Sequence, residues 1–292
     1  MRIALYSRQL NEENSKYVHS LIDSLKKRKF DLVLFEPMIL QLKKQGVDIR
    51  SFDVFRDHSD IKENVDFVFS VGGDGTLLDT LTLVQNSGIP ILGINTGRMG
   101  FLSSVSKDYI YNAVDSIEKG HYSLDKRTLL KLESNKTLFG DINYALNELT
   151  IHKKDSSSMI IIHTYLNGEY LNSYWADGLL VATPSGSTGY SLSCGGPIIV
   201  PQAENFIVTP IAPHNLNVRP IVVPDKNVIS LEVEGRSTYF MASLDSRSVT
   251  IDSSIQLAVR KADFTMNLVR LENENFLKTL REKLLWGLDA RK

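Results

Sequence analysis

The 292-residue chain carries 33 Lys and Arg against 34 Asp and Glu, a formal net charge of −1, so no global basic field draws it to nucleic acid or to an anionic membrane. Its length fits one large domain or two ordinary ones, with enough apolar residues for a real core. The single cysteine, Cys194, rules out an intrachain disulfide framework. No apolar run reaches the roughly eighteen residues of a membrane-crossing helix, and the N-terminal apolar run is too short for a signal peptide, so a soluble cytoplasmic protein is expected.

Arg2 to Tyr6 reads as a short apolar strand. Asn11 is placed to cap a helix in which Val18, Leu21, Ile22 and Leu25 share one face, and Lys26 to Lys29 end it favourably for the dipole. Asp31 to Phe35 reads as the next strand, and Val65 to Val71 as an apolar run that meets Gly72 and Gly73. Leu77 to Val84 predicts a helix and Ile89 to Ile94 a strand, so the segment 1–120 has the β-α-β rhythm of a parallel, Rossmann-like sheet covered by helices.

Beyond about residue 120 short β-rich runs take over. Met159 to Tyr165 and Glu169 to Trp175 flank Asn167-Gly168, a strong hairpin turn pair. Ile198 to Val200, Ile221 to Val223, Val228 to Val233, Val249 to Ile251 and Gln256 to Val259 are further strand candidates, which makes 121–261 a mostly-β domain. Phe276, Leu277, Leu280 and Leu284 lie on one helical face, so 262–292 is expected to end in a helix that packs back on the first domain.

The run Gly72-Gly73-Asp74-Gly75-Thr76 sits between a strand and a helix. Glycines there admit close approach to a phosphate, and the N–H groups that open the helix favour an anion. A carboxylate beside phosphates is repelled unless it handles a proton or a metal, and both tasks belong to phosphoryl transfer. A capped strand-to-helix turn would explain two glycines alone, but the five-residue run is more specific, and it is neither a Walker A loop nor a dehydrogenase Gly-x-Gly-x-x-Gly.

That run resembles the signature shared by NAD kinases, diacylglycerol and sphingosine kinases and phosphofructokinases. Gly93-Ile94-Asn95-Thr96-Gly97-Arg98-Met99-Gly100-Phe101-Leu102, Asn147-Glu148, Asp177-Gly178, the run Thr183 to Ser191, Gly195-Gly196-Pro197, Pro213-His214, Arg219-Pro220 and Asp245 narrow the resemblance to the NAD kinase family. Gly189 stands where the family commonly has Ala, and Ser246 where many members have Gly.

The resemblance implies an NAD kinase that transfers the terminal phosphate of ATP to the 2′-hydroxyl of the adenosine ribose of NAD. It implies Mg²⁺, or another divalent metal, carried with ATP mainly by triphosphate oxygens and water, with no dedicated protein metal cluster, and a homodimer or homotetramer. It puts NAD in a cleft between the domains. Asp74 is then the general base, with metal organisation as its competing role, and Gly72, Gly73, Gly75 and Thr76 hold phosphates. Gly75, Phe101, Asn147, Glu148, Asp177, Ser187, Thr188, Gly189, Tyr190, Ser193 and Asp245 contact NAD, with Phe101 equally readable as a core aromatic. A lipid kinase sharing the glycine turn, and a catalytically silent NAD(P) sensor, are the rival readings.

Overall fold

The computed structural model describes residues 1–10, 12–50, 52–97, 100–154, 158–272 and 274–286. It divides into two compact units, 1–126 with 266–292, and 127–265.

In unit 1, β1 (Arg2–Tyr6), α1 (Glu12–Lys27), β2 (Asp31–Phe35), α2 (Glu36–Lys44), β3 (Asp53–Phe55), α3 (His58–Ile61), β4 (Phe67–Gly72), α4 (Asp74–Val84), β5 (Ile91–Asn95), β6 (Val105–Ser106) and α5 (Ile110–Glu118) follow in chain order. The sheet runs β5-β4-β1-β2-β3, every pairing parallel. Parallel strands covered on both faces need near-continuous apolar runs, and β4 and β5 are buried at every position. Val18, Leu21, Ile22 and Leu25 of α1 enter the core they share with Ile3, Leu5 and Phe69. Asn11, the expected cap of α1, lies outside the described residues.

Unit 2 is built from β7 (Tyr122–Ser134), β8 (Tyr144–Ala145), β9 (Glu148–Lys153), β10 (Ile160–Leu166), β11 (Glu169–Ala176), β12 (Gly178–Ala182), a short helix α6 (Tyr190–Ser193), β13 (Asn205–Ile211), β14 (Ile221–Pro224), β15 (Ile229–Gly235), β16 (Tyr239–Leu244), β17 (Arg247–Asp252) and β18 (Leu257–Leu271). The order β14-β13-β12-β9-β16-β17 forms one antiparallel sheet, and β11-β10-β15-β18 pair antiparallel in another. Leu149, Ile151, Val181, Phe206, Val233 and Phe240 close their common core. Asn167 (φ +52°) and Gly168 (φ +83°) make the β10–β11 turn with both central residues left-handed, as the type I′ geometry of Asn-Gly requires.

β18 is far longer than the expected Gln256 to Val259, and its end pairs in parallel with β5 at Leu268–Ile91. The chain thus passes between the units within β7 and within β18. Helix α7 (Phe276–Leu284) returns to unit 1, where Phe276 meets Phe101 with ring centroids 6.4 Å apart. The α/β first domain, the mostly-β second domain and the returning terminal helix are therefore as the sequence predicts. One expected strand is absent: Ile198 to Val200 is irregular. Pro197 and Pro201 flank it, and the N–H of Ile199 donates to Ser187 Oγ at 3.0 Å instead of to a ladder partner.

Candidate active site

In unit 1 the glycine run occupies the β4–α4 junction. Gly73 is the N-cap residue of α4 without a side-chain cap bond, and Asp74 opens the helix. Gly72 has no room for a side chain, because a Cβ there would fall 2.2 Å from Thr76 Oγ1. The turn borders a cavity of about 320 Å³. Its other walls are Ser7, Arg8 and Gln9 after β1, Asn14 of α1, and Asn95, Thr96 and Gly97 at the end of β5. Thr96 N donates to Gly72 O at 3.3 Å, and Asn95 Oδ1 accepts from Gly97 N at 2.8 Å, which shapes that rim.

Asp74 is held by the following loop. Its carboxylate accepts the backbone N–H groups of Phe101 (2.7 Å), Leu102 (3.2 Å) and Ser103 (2.9 Å). Of the roughly four lone-pair positions on an ionised carboxylate, three are engaged, leaving about one open. Gly100 makes the approach possible: a Cβ there would lie 1.6 Å from Asp74 Oδ1. The Phe101 ring packs against Phe276, and Lys283 Nζ lies 4.9 Å from its centroid, so this aromatic joins the loop to α7. Arg98 and Met99 of the same motif lie outside the described residues.

Unit 2 holds a second aspartate in the same manner. Asp245, at the β16–β17 turn with φ +51°, accepts the N–H groups of Leu146 (2.9 Å), Asn147 (2.8 Å) and Glu148 (3.2 Å). Its own N–H donates to Glu148 O at 3.1 Å. Arg247, two residues on, donates to the carbonyls of Ile142 and Tyr144. The hairpin thereby clamps the backbone that presents Asn147 and Glu148.

Asn147 Oδ1 and Glu148 Oε2 are buried and lack a partner within the described residues. Burial, with the Asp245 charge adding to it, pushes the Glu148 carboxyl up to about 8, so it is largely protonated at neutral pH. Burial also raises Asp245, against the opposing pull of its three amides.

The Thr183 to Ser193 loop covers this pair. Thr183 N donates to Asn147 O at 2.8 Å. A Cβ on Gly189 would stand 3.3 Å from Glu148 Oε2, so the glycine leaves the carboxyl slightly more room than an alanine would. Ser187 is fully buried; its hydroxyl donates to Pro184 O (2.7 Å) and accepts from Ile199 N (3.0 Å), which fixes the loop. Thr188 Oγ1 donates to Ser185 O at 3.2 Å.

Tyr190 is half exposed, and burial of its hydroxyl, then Cys194, raise its titration point. The charges of Asp177 and Glu148 also act on that hydroxyl. Asp177 itself pairs with Lys153 Nζ at 2.5 Å. Ser193, at the end of α6, is exposed.

The structure thus assembles the predicted residues in two places: residues 72–76 with Phe101 in unit 1, and Asn147, Glu148, Gly189, Tyr190 and Asp245 in unit 2. Sequence reading misses Arg8, Asp79, Lys153 and Arg247, which belong to no motif. A glycine-rich strand-to-helix turn, a cavity at its mouth and a helix-opening aspartate define the kinase class that carries Gly-Gly-Asp-Gly-Thr.

Residues 4–122 match the ATP-NAD kinase N-terminal domain and 146–271 the ATP-NAD kinase C-terminal domain. The chain is 51% identical to an NAD kinase of Cytophaga hutchinsonii and 45% identical to one of Flavobacterium psychrophilum, each over the full length of both chains. It superimposes on an NAD kinase from Archaeoglobus fulgidus in complex with ATP with a TM-score of 0.74 and 26% identity, over 98% of this chain and 99% of that one. Yeast NADH kinase complexed with NADH shares the fold, with a TM-score of 0.88 at 22% identity over 99% of this chain and 89% of the yeast chain. The chain belongs to the ATP-NAD kinase family, and its reaction is the phosphorylation of NAD to NADP.

Proposed function

We propose that Asp74 is the general base of this reaction, taking the proton of the adenosine ribose 2′-hydroxyl as its oxygen attacks the terminal phosphorus of ATP. The P–O bond to ADP breaks as the new one forms, and NADP and ADP leave. The observation that carries this reading is the three-amide grip on Asp74, which fixes one carboxylate at a glycine-rich phosphate turn. Asp is a weak base at neutral pH, so alignment supplies much of the effect.

Gly72, Gly73, Gly75 and Thr76 hold donor phosphates at the α4 N-terminus. Asn147 and Glu148 recognise NAD with an amide oxygen and a protonated carboxyl, one acceptor and one donor left unpartnered for a ligand. Tyr190, Asp177, Thr188, Gly189 and Ser193 complete the NAD surface, Ser187 and Asp245 support it from behind, and Phe101 backs the catalytic loop.

No group of three His, Cys, Asp or Glu that could hold a metal exists among the described residues. Mg²⁺ would be carried by phosphate oxygens and water, where it would neutralise charge on the triphosphate. No described helix is long and apolar enough to cross a membrane. We place the enzyme in the cytoplasm as a homodimer or homotetramer. Replacing Asp74 by Asn tests the assignment: turnover should fall by on the order of 10²- to 10⁴-fold while the fold is kept.

A further inference from the structure

We propose that Arg8 binds the terminal phosphates of the donor nucleotide in the cavity at the Gly72–Gly73 turn. The inference rests on the phosphate role given to that turn above. Arg8 is the cationic side chain among the residues that line the cavity, which Gly72 and Gly73 line as well. Backbone N–H groups and a helix start offer only partial charges to a triphosphate. A nearly neutral chain has no global field to help, so a full positive charge has to be local.

The guanidinium is held in one orientation. Nε donates to Asp79 Oδ2 at 2.5 Å and Nη2 to Asp79 Oδ1 at 2.7 Å, a two-point grip. Asp79 lies on α4, five residues beyond Asp74, and its side chain is only 18% exposed. The buried Tyr6 also hydrogen-bonds Asp79, which fixes the carboxylate in turn. Two of the five guanidinium N–H groups are thus taken, and the other three make no bond to a described residue while the side chain is 54% exposed. An arginine fixed on one edge and open on the other presents a planar fork to phosphate oxygens. As a mere surface tie between the end of β1 and α4, the pair would contribute only about 0–1 kcal/mol.

The test is ATP affinity, measured by calorimetry without NAD on the full chain, for the wild type, Arg8→Ala and Arg8→Lys. Arg8→Ala should bind ATP at least about tenfold more weakly, the scale of losing a charge-assisted hydrogen bond. Arg8→Lys should fall between, since it keeps the charge and loses the fork, and NAD affinity should stay within about twofold of wild type. Unchanged ATP affinity in a folded Arg8→Ala protein, with or without a lower melting temperature, overturns the inference; so does a wild type that binds no ATP. A wild type that binds ATP through Arg8 yet forms no NADP would sink the catalytic reading and leave this one standing.

Discussion

At the scale of single residues, the proposed chemistry turns on where the Asp74 carboxylate is held. Gly100 gives Asp74 its place, since any Cβ would occupy the position of Asp74 Oδ1. Gly100→Ala is therefore expected to lose at least about a hundredfold in kcat, as a misplaced base would; near-normal turnover in steady-state kinetics would show that the carboxylate position is not critical. Glu148 has a second consequence. Its folded-state titration point, about 8, lies above its ordinary value of 4.5, so the fold favours the protonated form. The stability this contributes is full below about pH 4.5 and is lost as pH rises towards 8, with a slope of up to about 1.4 kcal/mol per pH unit. Glu148→Gln should flatten that decline in urea midpoints measured between pH 5 and 9, and an unchanged slope would assign it elsewhere. Asp74 and Glu148 are legible in the sequence because each stands inside an ordered motif. Arg8 is not, because a lone arginine in a loop has no spacing to betray it, and its partner Asp79 is distant in sequence.

At the scale of elements, the β16–β17 hairpin acts as a clamp. Asp245 takes three amides of 146–148 and Arg247 takes the carbonyls of Ile142 and Tyr144 just before them, so the hairpin reads the same backbone from both sides of its polarity. Arg247→Ala removes the carbonyl half. It should lower the melting temperature by several degrees and raise KM for NAD well above any change in KM for ATP. Equal changes in both constants would mean that the hairpin supports the fold without positioning Asn147 and Glu148.

Elements whose pattern is local were readable: the amphipathic α1, the apolar β4 and the Asn167-Gly168 turn all form where periodicity and turn chemistry put them. Ile198 to Val200 has strand composition, but its backbone is claimed by Ser187, a contact no periodicity reveals. The same limit hides the length of β18, because a strand that passes from one unit's sheet to the other's has no single alternating pattern.

At the scale of the whole molecule, charge and architecture say how the enzyme must work. With a formal net charge of −1 it cannot gather two phosphate-bearing substrates by a global field. Recognition has to come from fixed local groups, and the structure supplies them: two aspartates each held by three consecutive amides, a glycine-rich turn over a cavity, and an arginine oriented by a carboxylate. The fold and the reaction were both legible from motif order, whereas the groups that hold the Asp74 carboxylate in place were not, since they are backbone amides that any sequence possesses. The most direct measurement is NADP formation from NAD and ATP with Mg²⁺ by purified protein, read with an NADP-specific dehydrogenase, with Asp74→Asn assayed beside it. The account predicts turnover in the wild type and its collapse in a folded Asp74→Asn protein. Wild-type turnover that survives that substitution would contradict the base assigned here.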